Sequence, residues 1–300
     1  MDWAVLSLFG SITLSIIIIL DKRLISVKIH RIEAYYAWLA LSMLIISGFV
    51  YIIWGLGDNL TFTKIFTAYG SGLFWGTGLV LFFLGIKFEE ASRAAAIFQT
   101  FPLFVFIFAI AFLGEDILLI QMIAIVSIVA GASIISVGKV SVSGILKPSK
   151  ALPLLVLASF CVGVGFFVNK LALEMLPVSA VYVFRAMGMA TILLGFFRPS
   201  LFFEMLKNIK DTETRNLIIF NPFILAPLAV ALMINATSRG PVSLVSAIIG
   251  TSPMFVFLFT MFLSKTKLWI IGEPLVKDVL LIKGFSVAMI VGGIIILQLT

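Results

Sequence analysis

The chain is short of charge. Only 12% of its 300 residues are Asp, Glu, Lys or Arg, 62% are hydrophobic, and the mean hydropathy is +1.22. A soluble domain carries about 25% charged residues. With 21 basic and 14 acidic side chains, a water-exposed surface for a chain of this length cannot be covered. The single cysteine, Cys161, excludes an intramolecular disulfide and any cysteine-rich metal site. The single histidine, His30, excludes histidine triads and two-histidine zinc centres. Carboxylates are absent from the middle of the apolar blocks, because Asp21, Glu33, Glu89, Glu90, Glu115 and Glu174 all stand at block ends. An embedded carboxylate is the usual handle for a cationic drug or a coupling proton, so antiport on a buried glutamate is disfavoured. No glycine loop leads into Lys-Ser/Thr, which leaves ATP-driven chemistry within the chain unsupported. Neither a metal nor a cofactor is expected.

What is present is a series of long apolar blocks. A bilayer-crossing helix needs roughly 20 mostly apolar residues. Ten blocks of about that length occur, at 3–20, 34–54, 65–86, 91–113, 117–137, 151–173, 178–197, 216–237, 241–263 and 279–297. The expected fold class is therefore an all-α integral membrane protein of ten transmembrane helices. The start, Met1-Asp2-Trp3, has no basic segment, so the first block is expected to be a span and not a cleaved signal peptide. The net charge of +7 would suggest nucleic acid in a soluble protein; here it marks membrane-flanking loops, and no nucleic-acid partner is expected.

Residues 138–150, with Lys139, Lys147, Pro148 and Lys150, form the one linker-like stretch in mid-chain. It separates a first part, 1–137, from a second, 151–300, with five blocks each. Five is odd, so the second part starts from the opposite face, and homologous parts would form an inverted repeat. Residues 100–108 read TFPLFVFIF and residues 251–259 read TSPMFVFLF, with six of nine positions identical. The same spacing relates Ser92 to Ser243. Asp21-Lys22 resembles Asn169-Lys170, and Ala130-Gly131-Ala132 resembles Val291-Gly292-Gly293.

Val162-Gly163, Lys170-Leu171-Ala172-Leu173, Leu176-Pro177 and Phe184-Arg185 together resemble the repeat of the EamA-type drug/metabolite transporter superfamily. So do Ala91-Ser92, Pro102, Leu113-Gly114-Glu115 and Ala130-Gly131. The resemblance implies two inverted five-helix repeats around a central cavity and transport by alternating access. It also implies a substrate among amino acids, other metabolites, nucleotide sugars and sugar phosphates. Leu14 and Val162 stand where the family usually has tryptophan, and Arg185 has no counterpart in the second block.

Of the 21 Lys and Arg residues, all but Lys64, Lys170, Arg185 and Arg239 lie in or beside the connections that follow odd-numbered blocks. The positive-inside rule places those connections in the cytoplasm and both termini outside. The family resemblance implies the reverse.

Arg185 is the one basic residue well inside a block, about 10 Å deep at 1.5 Å per residue. A charge there costs at least about 2.5–3.5 kcal/mol. Two roles are open to it: a fork for a substrate carboxylate or phosphate, or a residue satisfied by backbone carbonyls or reaching the interface. Tyr182 shares its helical face and is either a substrate contact or an interfacial aromatic. Gln99 and Asn235 are polar candidates in the fourth and eighth blocks; Asn169 reads as a cap near a surface. Trp75, Trp38 and Tyr36 are aromatic candidates for a cavity wall. Ser92, Ala95, Gln99 and Pro102 form a stripe matched by Ser243, Ser246, Gly250 and Pro253, which either lines a cavity or lets helices pack closely. Pro102 and Pro253 are expected to bend their helices, as hinges or as fixed kinks. Gly72-x-x-x-Gly76 predicts a close helix contact, and 201–210 predicts an amphipathic interfacial run.

The sequence thus points to a secondary carrier of a small metabolite in the cell (plasma or inner) membrane. An amino acid or another carboxylate-bearing compound is the expected substrate, with Arg185 as its charge partner and amino-acid export as one role. A lipid-linked sugar flippase, a sugar-phosphate or nucleotide-sugar exchanger and a membrane-embedded enzyme are the alternatives. The enzyme would need a catalytic constellation that the blocks do not contain. Two like parts in one chain make a monomer sufficient, with lipid and substrate as its partners.

Overall fold

The computed structural model describes residues 2–85, 88, 91–136, 151–263 and 277–299. The linker at 138–150, the basic residues Lys87, Lys265 and Lys267, and the side chain of Ser92 lie outside the described residues. The described secondary structure is helical, with no strand among these residues. In chain order it comprises α1 (Trp3–Arg23), a π-helical turn (Leu24–Lys28), α2 (Ile32–Trp54), α3 (Phe62–Gly85), α4 (Ala91–Phe98), α5 (Phe101–Leu113) and α6 (Leu119–Ser136). There follow α7 (Leu152–Met175), α8 (Val178–Leu194), α9 (Pro199–Lys210), α10 (Thr212–Phe220), a second π turn (Asn221–Leu225), α11 (Ala226–Arg239), α12 (Val242–Ile249), α13 (Ser252–Leu263) and α14 (Lys277–Leu299).

Six helical stretches among the described residues are long and apolar enough to cross a bilayer: Trp3–Arg23, Ile32–Trp54, Phe62–Gly85, Leu152–Met175, Thr212–Arg239 and Val242–Met261. Val178–Leu194 and Pro199–Lys210 make a seventh if taken together, bent by 107°. Phe101–Leu113, Leu119–Ile134 and Gly284–Leu297 are apolar but shorter. Six or seven stretches, against ten expected, thus reach spanning length. At the fourth and seventh blocks the difference has local causes. The fourth block is interrupted at Gln99 and Thr100, ahead of Pro102. The seventh ends as a helix at Leu194, and Arg198, ahead of Pro199, is extended (φ −128°, ψ 145°). Pro199 then opens α9, where its missing N–H costs nothing.

The helices expose large apolar side chains, including Phe62 (81%), Ile52 (77%) and Trp54 (67%). Such a surface requires a lipid solvent, and the protein is a multi-pass integral membrane protein. The interior is lined by small residues, among them Ala34, Ala40, Ser7, Ser11 and Ser15, which let backbones approach where hydrophobicity itself supplies no drive.

Two compact units divide the chain, and each draws on both parts of the sequence. The first comprises Met1–Thr77 and Gly165–Arg239; the second comprises Gly78–Val164 and Gly240–Thr300. In the first unit α1 packs on α11 and α2 on α8. In the second, α6 packs on α14 and α5 on α12.

A polar cluster ties one end of the first unit. Arg23 pairs with Glu213, Lys28 with Glu213 at 2.6 Å, and Arg31 Nε with Glu204 at 3.9 Å. Asp211 caps α10, accepting from the Thr214 hydroxyl at 2.5 Å and the Thr214 amide at 3.1 Å. These two bonds, with Lys28 as a lesser cause, hold its carboxyl below the ordinary 3.8. A carboxyl lowered on folding stabilises the fold above its unfolded value and loses that contribution as pH falls through the lowered one. We therefore expect the Thr214 amide to be protected from hydrogen exchange at neutral pH and to lose protection only below about pH 4. In Asp211→Asn, which keeps the cap without the charge, protection should not depend on pH over that range.

Candidate functional site

Arg185 lies on α8 and is 3% exposed. Its guanidinium carbon sits 4.7 Å from the centroid of the Trp75 ring, over an indole supplied by α3. Trp75 is itself set edge-on to Phe166 of α7, with centroids 5.0 Å apart. A cation over an indole face gains about 0.5–2 kcal/mol, more when desolvated. That only partly offsets burying the charge. No salt bridge involves Arg185 among the described residues, and its Nε has no hydrogen-bond partner. The arginine is therefore not satisfied by a backbone carbonyl at Nε.

Glycine makes this approach possible. A Cβ on Gly72 would stand 1.9 Å from the Arg185 carbonyl oxygen, and one on Gly188 would stand 2.0 Å from that of Tyr69. Helices α3 and α8 therefore touch backbone to backbone, and Trp75 reaches Arg185 across that seam. A Cβ on Gly76 would likewise stand 3.2 Å from the Met189 carbonyl oxygen. The close contact expected of Gly72-x-x-x-Gly76 is thus present, with Gly188 as its partner.

The other candidates in the first unit divide into committed and uncommitted groups. Tyr182 is 4% exposed and its hydroxyl donates to the Pro227 carbonyl at 3.4 Å. Asn235 spends its Nδ2 on the Ala231 carbonyl of its own helix at 2.8 Å, so the partner its depth requires is local. Trp38 is 7% exposed, lies edge-on to Phe223 with centroids 6.3 Å apart, and has no partner for Nε1. Tyr36, two residues earlier, meets Phe196 instead, at 6.0 Å. Asn169 reads in sequence as a surface cap, but it is 2% exposed with an unpaired Oδ1.

In the second unit the two proline-bearing helices break alike. Thr100 and Thr251 each turn their hydroxyl onto the carbonyl three residues back, at 2.7 and 2.6 Å. Their amides donate to those same carbonyls of Ile97 and Ile248, each at 3.1 Å. Pro102 and Pro253 follow two residues later, where they have no N–H to give. The breaks also meet: Gln99 Nε2 donates to the Ser252 hydroxyl at 3.4 Å, and a Cβ on Gly250 would lie 3.0 Å from Pro102 Cγ. Gln99 is 6% exposed and its Oε1 is unpaired. Ser246 spends its hydroxyl on the Ser243 carbonyl at 2.8 Å.

Glu115 has a role that its position at a block end does not reveal. Gly114, left-handed at φ 62°, ends α5. Glu115 then accepts from the amides of Val242, at 2.6 Å, and Ser243, at 3.3 Å, and from the Ser243 hydroxyl. A carboxylate at the N-terminus of α12 meets unpaired N–H groups and the positive end of the helix dipole. Glu115→Ala is expected to lower stability by about 1–3 kcal/mol, read as a lower melting temperature in detergent, with Glu115→Gln recovering part of the loss.

The EamA-like transporter family model matches residues 1–137 and 149–272. Among solved structures, one described only as "Crystal structure of protein" aligns with 99% of this chain and 96% of its own, at 14% identity and a TM-score of 0.68. At that identity the likeness concerns the fold alone. No curated protein matches the chain.

Proposed function

The chain belongs to the EamA-like transporter family, within the drug/metabolite transporter superfamily, and from that premise we propose that this membrane transporter of small molecules carries amino acids or other carboxylate-bearing metabolites. The observation that supports this reading is Arg185: a buried guanidinium with an unpaired Nε, resting on Trp75 and facing no described carboxylate within salt-bridge distance. A planar fork of donors fits a carboxylate by two parallel hydrogen bonds. A substrate anion would neutralise the charge and complete its bonding at once, which supplies binding energy that a neutral solute lacks.

Tyr182, Trp75, Trp38 and Tyr36 are assigned to the same part of the transport route, with Trp38 Nε1 a free donor. Asn235 contributes its remaining amide oxygen. In the second unit, Gln99 is the residue assigned to substrate contact, through its unpaired Oε1, and Ser246 is the weaker candidate. We assign the matched breaks before Pro102 and Pro253 as hinges of an alternating-access cycle, since a helix that already lacks backbone bonds bends there at least cost. The ten-helix inverted-repeat arrangement, 1–137 and 151–300, is the architecture on which this cycle rests, with the monomer as the working unit in the cell membrane.

Counterflow tests the reading. Purified protein is placed in liposomes loaded with one unlabelled amino acid, and entry of the labelled compound is followed. Transient accumulation above the outside level is expected for at least one member of a panel of amino acids and other carboxylates. Entry no faster than in protein-free liposomes across the whole panel contradicts it.

A further inference from the structure

Helix α9 leaves α8 at a bend of 107°, so where α8 runs through the bilayer α9 lies along its surface. Its buried residues, Leu201, Met205 and Asn208, recur four and three apart on one stripe, and the helix packs on α2 and α10. Phe203, Lys207 and Lys210 recur at the same steps on the opposite stripe, and all three are exposed, Phe203 at 75%. Phe202 and Leu206 are exposed on one flank of that stripe, with the Phe202 and Phe203 rings edge-on and their centroids 6.2 Å apart. The outward face thus grades from phenyl and leucyl groups on one side to ammonium groups on the other. Phe196 and Phe197, within the bend, are exposed as well.

The ion pairs at this end of the unit leave that face positive. Glu204, the one acid of α9, is spent on the first half of the chain: it accepts from the Arg31 amide at 3.1 Å and faces Arg31 Nε at 3.9 Å. Asp211 and Glu213 are spent on Lys28 and Arg23. Arg198, Lys207 and Lys210, all exposed, enter none of the ion pairs among the described residues, and neither do Lys22 and Arg215. The acids are thus paired with cations of α1, its π turn and the start of α2, and α9 keeps three cations with no counter-charge beside its exposed rings.

We propose that α9 is a binding surface for anionic phospholipid, with Phe202, Phe203 and Leu206 set among the acyl chains and Arg198, Lys207 and Lys210 holding the phosphate headgroups. A helix lying in the interface binds by its buried apolar area and by attraction between its basic side chains and anionic lipid. The long stems of Lys207 and Lys210 let their ammonium groups reach the headgroups while the neighbouring rings stay in the apolar layer. A zwitterionic headgroup offers the same phosphate with its charge already offset, so the three uncompensated cations select the anionic lipid. Each basic residue near such a surface raises affinity by roughly 5-fold. The surface is independent of what the protein carries.

Fluorescence quenching by brominated lipid reads this surface without any substrate. The full chain carrying Phe203→Trp is placed in phosphatidylcholine bilayers that contain a rising fraction of phosphatidylglycerol brominated in its acyl chains, or of phosphatidylcholine brominated likewise. The wild-type chain, with its five native tryptophans, supplies the background to subtract. The added indole is expected to be quenched by both lipids, with an affinity for phosphatidylglycerol at least about 10-fold the higher. Adding Lys207→Gln and Lys210→Gln should cut that preference by at least about 5-fold, and so should raising the salt to about 1 M, where the screening length falls to about 3 Å. Lys64→Gln, at the start of α3, should leave it unchanged. All the substituted side chains are exposed; if Phe203→Trp nonetheless loses its monodisperse peak, Leu206→Trp is the reporter. Equal quenching by the two lipids overturns the proposal, as does a preference that survives the loss of both lysines. Quenching by neither lipid also overturns it, and leaves the face to an acidic protein partner.

Discussion

Gly188→Leu is expected to leave little folded protein, seen as loss of the monodisperse peak in size-exclusion chromatography from detergent. The first atom of any side chain at Gly188 meets the Tyr69 carbonyl oxygen at 2.0 Å and the Leu73 amide nitrogen at 3.1 Å. On the facing helix, Gly72 would meet the Arg185 carbonyl oxygen at 1.9 Å and the Met189 nitrogen at 2.8 Å. These obstacles are backbone atoms, so no rotamer change relieves them. Helices α3 and α8 would have to part by roughly 1 Å or more, and a gap of that size forfeits a quarter to a half of the dispersion well along the seam. Over-packing of a core costs about 1–3 kcal/mol where side chains can adjust; here the cost should be at the top of that range or above it. Gly188→Ala should be milder but still destabilising. Gly48→Ala is the control: its Cβ has nothing within 4 Å, and alanine in a helix is favoured over glycine by up to about 1 kcal/mol, so its melting temperature should hold or rise.

Arg185→Ala is expected to reduce amino-acid counterflow by about 100-fold, because truncating one partner of a buried charge pair costs about 2–5 kcal/mol. Stability should move the other way or not at all. With Nε unpaired and no described acid at salt-bridge distance, the empty protein carries the arginine at a desolvation cost that alanine removes. Loss of transport without loss of melting temperature is the signature of a residue kept for its ligand. Arg185→Lys should fall between the two, since an ammonium keeps the charge but loses the planar fork and the flat contact with Trp75. If Arg185→Ala unfolds the protein, the arginine is structural and the carboxylate assignment fails.

The parts of this protein that were legible in sequence are those set by composition and by period. Too few charges and blocks of about 20 apolar residues dictated a membrane-embedded helical chain. Gly72-x-x-x-Gly76 gave a seam whose other side, Gly188, carries no comparable motif. The recurrence of Thr-x-Pro at 100–102 and 251–253 marked two helix breaks, because proline deletes a backbone bond wherever it falls. What stayed hidden depends on partners far away in the chain. Asp21 stands at a block end, and the residues that donate hydrogen bonds to it, Tyr35 and Asn221, come from α2 and from the second π turn. Glu115 looked like a loop acid because the amides it binds are those of Val242 and Ser243. Asn235 stands deep in its block, and a carbonyl four residues back suffices as the partner of its amide. Asn221-Pro222 within an apolar run was the available signal for the π turn, since a polar residue beside a proline inside a span has to be paid for by something.

Competition in liposomes reaches the central claim, recognition of a substrate carboxylate by Arg185, most directly. Counterflow of a labelled amino acid is measured in the wild type against excess of the same unlabelled amino acid or of its methyl ester. The acid should suppress the signal and the ester, which differs in the carboxylate alone, should suppress it at least about 30-fold less, the equivalent of about 2 kcal/mol for a lost charge-assisted pair. Equal suppression by acid and ester would show that the carboxylate is not what the protein reads, and the role given to Arg185 would be wrong.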